Sequence, residues 1–444
     1  MSNKTNKLIP ELRFPEFVAL WKIITLSEVC DVFRGGTFSK ADMDENGTEP
    51  CIHYGELFTK YNEVISYIFS KTNKSDGFRS QAGDILMPSS DVTPNGLAKA
   101  SAIIIDDVVL GGDMNIIRPK TDINSIFLSY LLNHSKSEII KLVSGTTVKH
   151  IYPSQIINCQ IPIINCQKEQ QKIASCLSSI DEVITAHNQK LDTLKNHKKG
   201  LMQNLFPQLS ELGLDRLKDD RIKGKEILKS QNPKNHNSDN VPKYRFPEFL
   251  EDGEWVEKSL GSIAEIITGN TPSTLDITNY NGNNLFVSPG DISDNRYVIQ
   301  TKTTLSEIGF SKTRKVKAYS ILFVCIGSTI GKVAQNRFEC ATNQQLNSLI
   351  PFEENSSDFL YSILDFNSSQ IASIAGNHAV PIINKTSFSA IRLNFPPTAK
   401  EQQKIASCLS SLDDLITAQT EKIKQLKLHK KGLMQGLFPK LSEL

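Results

Sequence analysis

The chain has 444 residues, 39% of them apolar and 22% charged, with 24 glycines and 19 prolines; this is the composition of folded globular domains, not of collagenous or disordered chains. At about 100–200 residues per domain, two to four domains are expected. Fifty Lys and Arg against 48 Asp and Glu leave a formal charge of +2, so total charge argues for neither nucleic acid nor an anionic membrane, and any basic surface has to be local.

The opening MSNKTNKLIPELRF has no apolar leader-like run, and the longest apolar stretches, such as 321–326, fall short of the about 20 residues that cross a bilayer. The chain therefore reads as cytoplasmic, with no membrane partner. Its eight cysteines include no C-x-x-C pair, and Cys176, Cys325 and Cys408 sit in apolar stretches as buried thiols do. No metal site is expected.

In chain order, Arg13-Phe14-Pro15-Glu16-Phe17 opens a first globular domain, 1–165. Short β-rich runs at 102–105 and 108–110 are bounded by Gly, Asn and Pro turns, and a helical stretch covers 126–143. Residues 166–206 then form a long helix. Its seam runs Ile173, Leu177, Ile180, Ile184, His187, Leu191, Leu194, Lys198, Leu201, Leu205, with spacings alternating between four and three, a heptad pattern. Residues 207–243, charged and then polar throughout QNPKNHNSDN, read as a linker.

The pattern then restarts. Arg245-Phe246-Pro247-Glu248-Phe249 repeats the opening motif 232 residues on, and residues 401–444 match 169–212 at 32 of 44 places with the same offset. A second globular domain occupies 244–397, with a strand at 320–325 and a helix at 357–374, and 398–444 is the second long helix. Its seam is Ile405, Leu409, Leu412, Ile416, Gln419, Ile423, Leu426, Lys430, Leu433, Leu437. Neither apolar seam is stable in water, so the two helices are expected to pair within the chain. About 38 helical residues make a rod of about 57 Å. The polar His187 and Gln419 share one seam position, where such residues fix register or face solvent.

Between these matched parts the halves diverge. Residues 26–33 and 260–267 agree in pattern, but the loops after them have little in common. Each globular part reads as α+β, with a curved, mostly antiparallel sheet.

Chemical signatures fail one by one. Gly327-Ser-Thr-Ile-Gly331-Lys332-Val333 is one residue short of a phosphate loop and lacks its Ser or Thr after Lys. Asn394-Phe395-Pro396-Pro397 has the letters of a base-holding methyltransferase motif in the wrong order, with no G-x-G loop in the chain, and reads as the turn into the second helix. There is no Glu-x-Lys nuclease pair, no H-E-x-x-H and no G-x-S-x-G, so no catalytic residue is expected.

The divergent loops instead carry hydrogen-bonding side chains beside cations: Arg34, Thr37, Lys40, Ser89, Ser90, Asn95, Lys149 and His150 in the first half, and Asn270, Thr271, Ser273, Arg314, Lys317, Ser328, Lys332, Asn343, Gln344, Gln345, Asn377 and His378 in the second. Arg and Lys pair with guanine and Asn and Gln with adenine in the major groove, while glycines let backbone approach phosphate. Taken singly, each is also an ordinary turn residue.

Two diverged globular units, each followed by a near-identical E-Q-Q-K-I-A helix ending in K-G-L-M-Q-x-L-F-P, resemble the specificity subunit of type I restriction-modification systems. The R-F-P-E-F openings, the Gly55-Glu-Leu57 and Gly290-Asp-Ile292 turns, and the Gly83-Asp-Ile-Leu86 and Ser320-Ile-Leu322 strands add to the likeness. The resemblance implies two mostly-β target-recognition domains in pseudo-two-fold arrangement, separated by two long helices forming an antiparallel coiled coil. It also implies double-stranded DNA as partner, read as an asymmetric bipartite target whose gap the helices set. Two modification subunits carrying S-adenosylmethionine for adenine-N6 methylation, and restriction or motor subunits, complete the expected assembly. By this resemblance the chain itself does no chemistry and holds no cofactor. The competing readings are a coiled-coil scaffold joining two protein-binding domains without DNA contact, and an enzyme with its site at the domain junction.

Overall fold

The computed structural model of the chain describes residues 8–207, 241–293, 295–375 and 380–440; nearly all of the expected linker lies outside them. The chain divides into two units, Met1–Asn188 with Lys422–Leu444, and Gln189–Glu421. The division falls inside both long helices, Gln167–Leu205 and Ala399–Leu437, each of 39 residues. Each globular part therefore keeps the beginning of the helix that follows it and the end of the other one.

The units share one topology despite their diverged sequences. In the first, a five-stranded sheet has the order Cys30–Arg34, Met114–Pro119, Ile85–Pro88, Ser101–Ile103, Val64–Ile65, beside a four-stranded sheet Ser70–Thr72, Glu49–Ile52, Val109–Leu110, Phe78–Arg79. In the second, the five strands are Ala264–Thr268, Leu346–Pro351, Ile321–Val324, Val333–Asn336, Tyr297–Val298, and the four are Thr303–Leu305, Tyr280–Val287, Cys340–Thr342, Lys315–Val316. Pairing is antiparallel except at one equivalent pair per sheet, such as Val64–Ile65 on Ser101–Ile103 and Tyr297–Val298 on Val333–Asn336. Ile85–Pro88 and Ile321–Val324 are buried at every residue, as expected of inner strands covered on both faces.

Two details differ from the sequence reading. The stretch 126–143 is two helices, Ser125–His134 and Lys136–Lys141, broken where Ser135 leaves helical geometry while its amide still closes on Leu131. Asn394 and Phe395 lie in the strand Arg392–Phe395, paired with Val256–Ser259. The turn is confined to the two prolines and Thr398, whose hydroxyl accepts the Glu401 amide at 3.3 Å.

Both cores extend from sheet to helix pair. In the first unit Trp21, Phe127, Ile173 and Leu177 share a cluster with Leu437 and Phe438. In the second, Trp255, Phe359, Ile405 and Leu409 share one with Met202, Leu205 and Phe206. The late turns of one helix thus meet the early turns of the other, so the two segments within each unit run antiparallel. None of the seam positions is exposed: Ile173, Leu177, Ile184, Ile405, Leu409, Leu412, Gln419 and Ile423 are buried, and His187, Leu191, Leu194, Leu201, Ile416, Leu426 and Leu433 are half-buried. No helix among the described residues is long and apolar enough to cross a membrane.

Candidate nucleic-acid interface

The frame that holds the loops is built from ion pairs at equivalent positions. Arg13 donates through Nε and Nη2 to the two carboxylate oxygens of Glu169, both at 2.9 Å. Arg245 makes the same fork on Glu401 at 2.8 and 2.7 Å, joined by the Trp255 indole N–H at 3.2 Å. Both carboxylates are buried side chains in the first turn of a long helix, where the helix dipole favours negative charge. The sequence reading gave these four residues no role, although R-F-P-E-F and E-Q-Q recur at the same offset.

A second recurring contact fastens sheet and helices. Lys430 Nζ lies 2.7 Å from Asp181 and 2.8 Å from Glu63, above the Tyr130 ring, and Tyr130 donates its hydroxyl to Asp181 at 2.5 Å. Lys198 lies 2.7 Å from Asp413 and 3.6 Å from Asp365, above the Tyr361 ring. The second unit adds Arg296, only 4% exposed, which bonds Gln335, Ser410, Asp358 and Asp413. Burial pushes the Asp181 and Asp365 carboxyls up, against the pull of the two lysines, and raises both tyrosines. Lys198 and Lys430, which the heptad reading placed on the seam, are thus ion-paired anchors.

In the first unit most of the candidate reading residues gather at one end of the five-stranded sheet. Arg34 closes its strand opposite Asn115 and faces Asp113 at 3.8 Å. The Ser89 amide bonds the Asp113 carbonyl. Ser90 and Asp91 form a ribbon with Lys149 and His150, and the His150 ring stacks on Tyr152 at 5.9 Å. Asn95 stands exposed on the short helix Pro94–Leu97 that follows. A groove of about 590 Å³ runs along Arg34, Thr37, His53, Tyr54 and Asp113. Its floor needs glycine, because a Cβ at Gly35 would sit 1.9 Å from the Gly111 carbonyl oxygen. Ser89 itself is buried and does not present its hydroxyl. Lys40 is exposed in the turn Lys40–Asp42, where Lys74 and the Ser39 amide hold Asp42 down to about 2.

In the second unit the equivalent edge is tied by side chains. Asn270 donates to the Lys312 carbonyl and accepts the Arg314 amide at 2.9 Å. The Thr271 hydroxyl donates to Gln344 at 2.7 Å, and Asn343 donates to Gln345 at 3.0 Å. Gln345 Nε2 would lie 3.3 Å from a Cβ at Gly327, which brings Ser328 alongside. Ser273 is exposed on the same loop. Two candidates lie elsewhere. Lys332 lines a cleft of about 670 Å³ on the helix side with Lys195, Tyr361 and Asp413, and the register of Lys315 on Ala341 and Val316 on Cys340 carries Lys317 away from Asn343. Asn377 and His378 lie outside the described residues. Among the described residues no group of His, Cys, Asp and Glu could hold a metal ion.

The model of the type I restriction modification DNA specificity domain matches residues 19–196 and 252–428. A putative type I restriction enzyme MjaX specificity subunit of Methanocaldococcus jannaschii is 24% identical, over 94% of this chain and 92% of its own length. The HindI specificity subunit of Haemophilus influenzae is 25% identical, over 71% and 77%. The solved S subunit of a type I restriction-modification system from M. genitalium superposes with a TM-score of 0.64 at 16% identity, covering 98% of this chain and all of that one.

Proposed function

The chain belongs to the type I restriction-modification DNA specificity family, and from that membership we propose that each unit reads one half of an asymmetric, bipartite DNA target through its loop-bearing sheet edge. The observation that carries this is one fold presented twice: the same nine-strand topology and the same Arg–Glu forks support two edges with different hydrogen-bonding groups. Arg34, Thr37, Asn95, Lys149 and His150 read one half-site, and Asn270, Thr271, Ser273, Arg314, Gln344 and Gln345 the other. Side chains supply base contacts while backbone and exposed cations orient the duplex. The chain's own residues perform no bond chemistry; adenine-N6 methylation belongs to two modification subunits that carry S-adenosylmethionine, and cleavage to restriction subunits. With a net charge of only +2, these partners supply much of the phosphate grip.

The test is methylation-sensitive sequencing of a genome methylated by this chain with its modification subunits. The expected result is one motif of two unlike half-sites separated by unspecified bases. A single continuous motif, or a symmetric one, would overturn the assignment. The scaffold reading predicts no sequence dependence at all.

A further inference from the structure

The loop between Thr268 and Tyr280 is pinned by hydrogen bonds on both sides yet puts its largest apolar side chains into water. Asn279 is fully buried and donates to the Ser273 carbonyl at 3.0 Å; Tyr280 donates to the Pro272 carbonyl at 2.8 Å. Lys312 fastens the other side, 2.8 Å from Asn279 Oδ1 and 3.2 Å from Asp276, while Thr278 and Lys312 hold the Asp276 carboxyl below its usual range. Between these pins Leu275 is 95% exposed and Ile277 81%, Leu275 being the most exposed large apolar residue described. The corresponding loop of the first unit does the opposite: its Phe38 is 2% exposed and packs on Cys51 and Val109.

We propose that Leu275, supported by Ile277, is a wedge that enters a base step of the half-site read by the second unit. The inference rests on the DNA-reading assignment above and deepens it. Leu275 and Ile277 are flanked by Ser273, Thr274 and Thr278, hydroxyl side chains of the kind that bond sugar and phosphate. Asn270 donates to the Lys312 carbonyl and accepts the Arg314 amide, and Lys312 reaches Asp276, the residue between Leu275 and Ile277, so a duplex on Asn270 and Arg314 lies beside the loop tip. Leu and Ile are residue types that unstack base steps when a pinned backbone drives them in, while small hydroxyls beside them bond sugar and phosphate.

The experiment uses the full chain and a pool of duplexes with a randomised centre. Wild type recovers its preferred duplex, which is remade with 2-aminopurine in the half-site assigned to the second unit. Binding of wild type raises the 2-aminopurine fluorescence. The Leu275→Ala, Ile277→Ala double variant binds that duplex about ten- to hundredfold more weakly, loses the rise, and still selects the same bases in the other half-site; Leu275→Met keeps the rise. Its melting temperature is unchanged, because both side chains stand in water. If the double variant binds within twofold of wild type with the rise intact, the wedge is wrong while DNA reading stands. If wild type recovers no preferred duplex either alone or with its modification subunits added, the reading on which the wedge rests fails as well.

Discussion

The ends of the long helices and the loop edges of the sheets meet opposite physical demands. At the helix ends the halves agree closely: Arg13 on Glu169 and Arg245 on Glu401 make the same two-pronged fork, and Phe438 meets Trp21 edge-on at 6.3 Å as Phe206 meets Trp255 at 6.4 Å. At the loop edges little recurs. One half buries Phe38 and hangs out a Ser90–His150 ribbon; the other exposes Leu275 and ties its loops with Thr271 and Gln344. A buried carboxylate tolerates one partner geometry, whereas exposed loop groups on a stiff sheet change at little energetic cost. The lysine anchors lie between these extremes: the Lys–Asp pair is shared, the third partner is not.

The harshest test of this contrast strikes the shared frame. Leu177 and Leu409 are equivalent and fully buried, so Leu177→Asp or Leu409→Asp costs about 5 kcal/mol or more and unfolds the affected unit in urea; a folded Leu409→Asp protein would show that the helix pair does not complete the core. Glu401→Ala leaves Arg245, with 6% of its side chain exposed, buried without its carboxylate, at about 3–5 kcal/mol. Glu169→Ala costs less, about 2 kcal/mol, since 18% of the Arg13 side chain reaches water; equal losses would remove that distinction between the units. Changes at the edges leave stability alone and alter reading: Arg34→Ala and Gln344→Ala each relax one half-site by about 1–3 kcal/mol, and selection from random duplexes should show the other half untouched. A variant that loosens both halves at once would break the assignment of one edge to one half-site.

The smallest effect is in pH. Burial raises the Asp181 carboxyl above its usual value despite Lys430, so the folded chain keeps this proton to higher pH than the unfolded chain does. Stability from this group is therefore greatest at or below the ordinary Asp value of about 4 and falls as pH rises to the raised one. Asp181→Asn should flatten that decline in urea melts taken across the window; an unchanged slope assigns it to another group.

The sequence alone determined the duplicated frame. A heptad seam is a local periodic signal, and a repeat at constant offset shows which residues serve the frame and which vary. It also placed the inner strands, since continuous apolar runs such as 321–324 have few other fates. Only the tertiary structure decided which chain segments belong together. The pairing of Trp21 with Phe438, of Lys198 with Asp413 and of Arg13 with Glu169 joins residues more than 150 positions apart, and the partner of a charge is set by three-dimensional proximity that no local pattern encodes. The same holds at the edges. Ser89 and Asn95 are both polar candidates on loops, and Phe38 and Leu275 are both apolar residues in equivalent loops, yet folding buries the first of each pair and exposes the second, because burial depends on what the opposite strand and sheet bring to the same place.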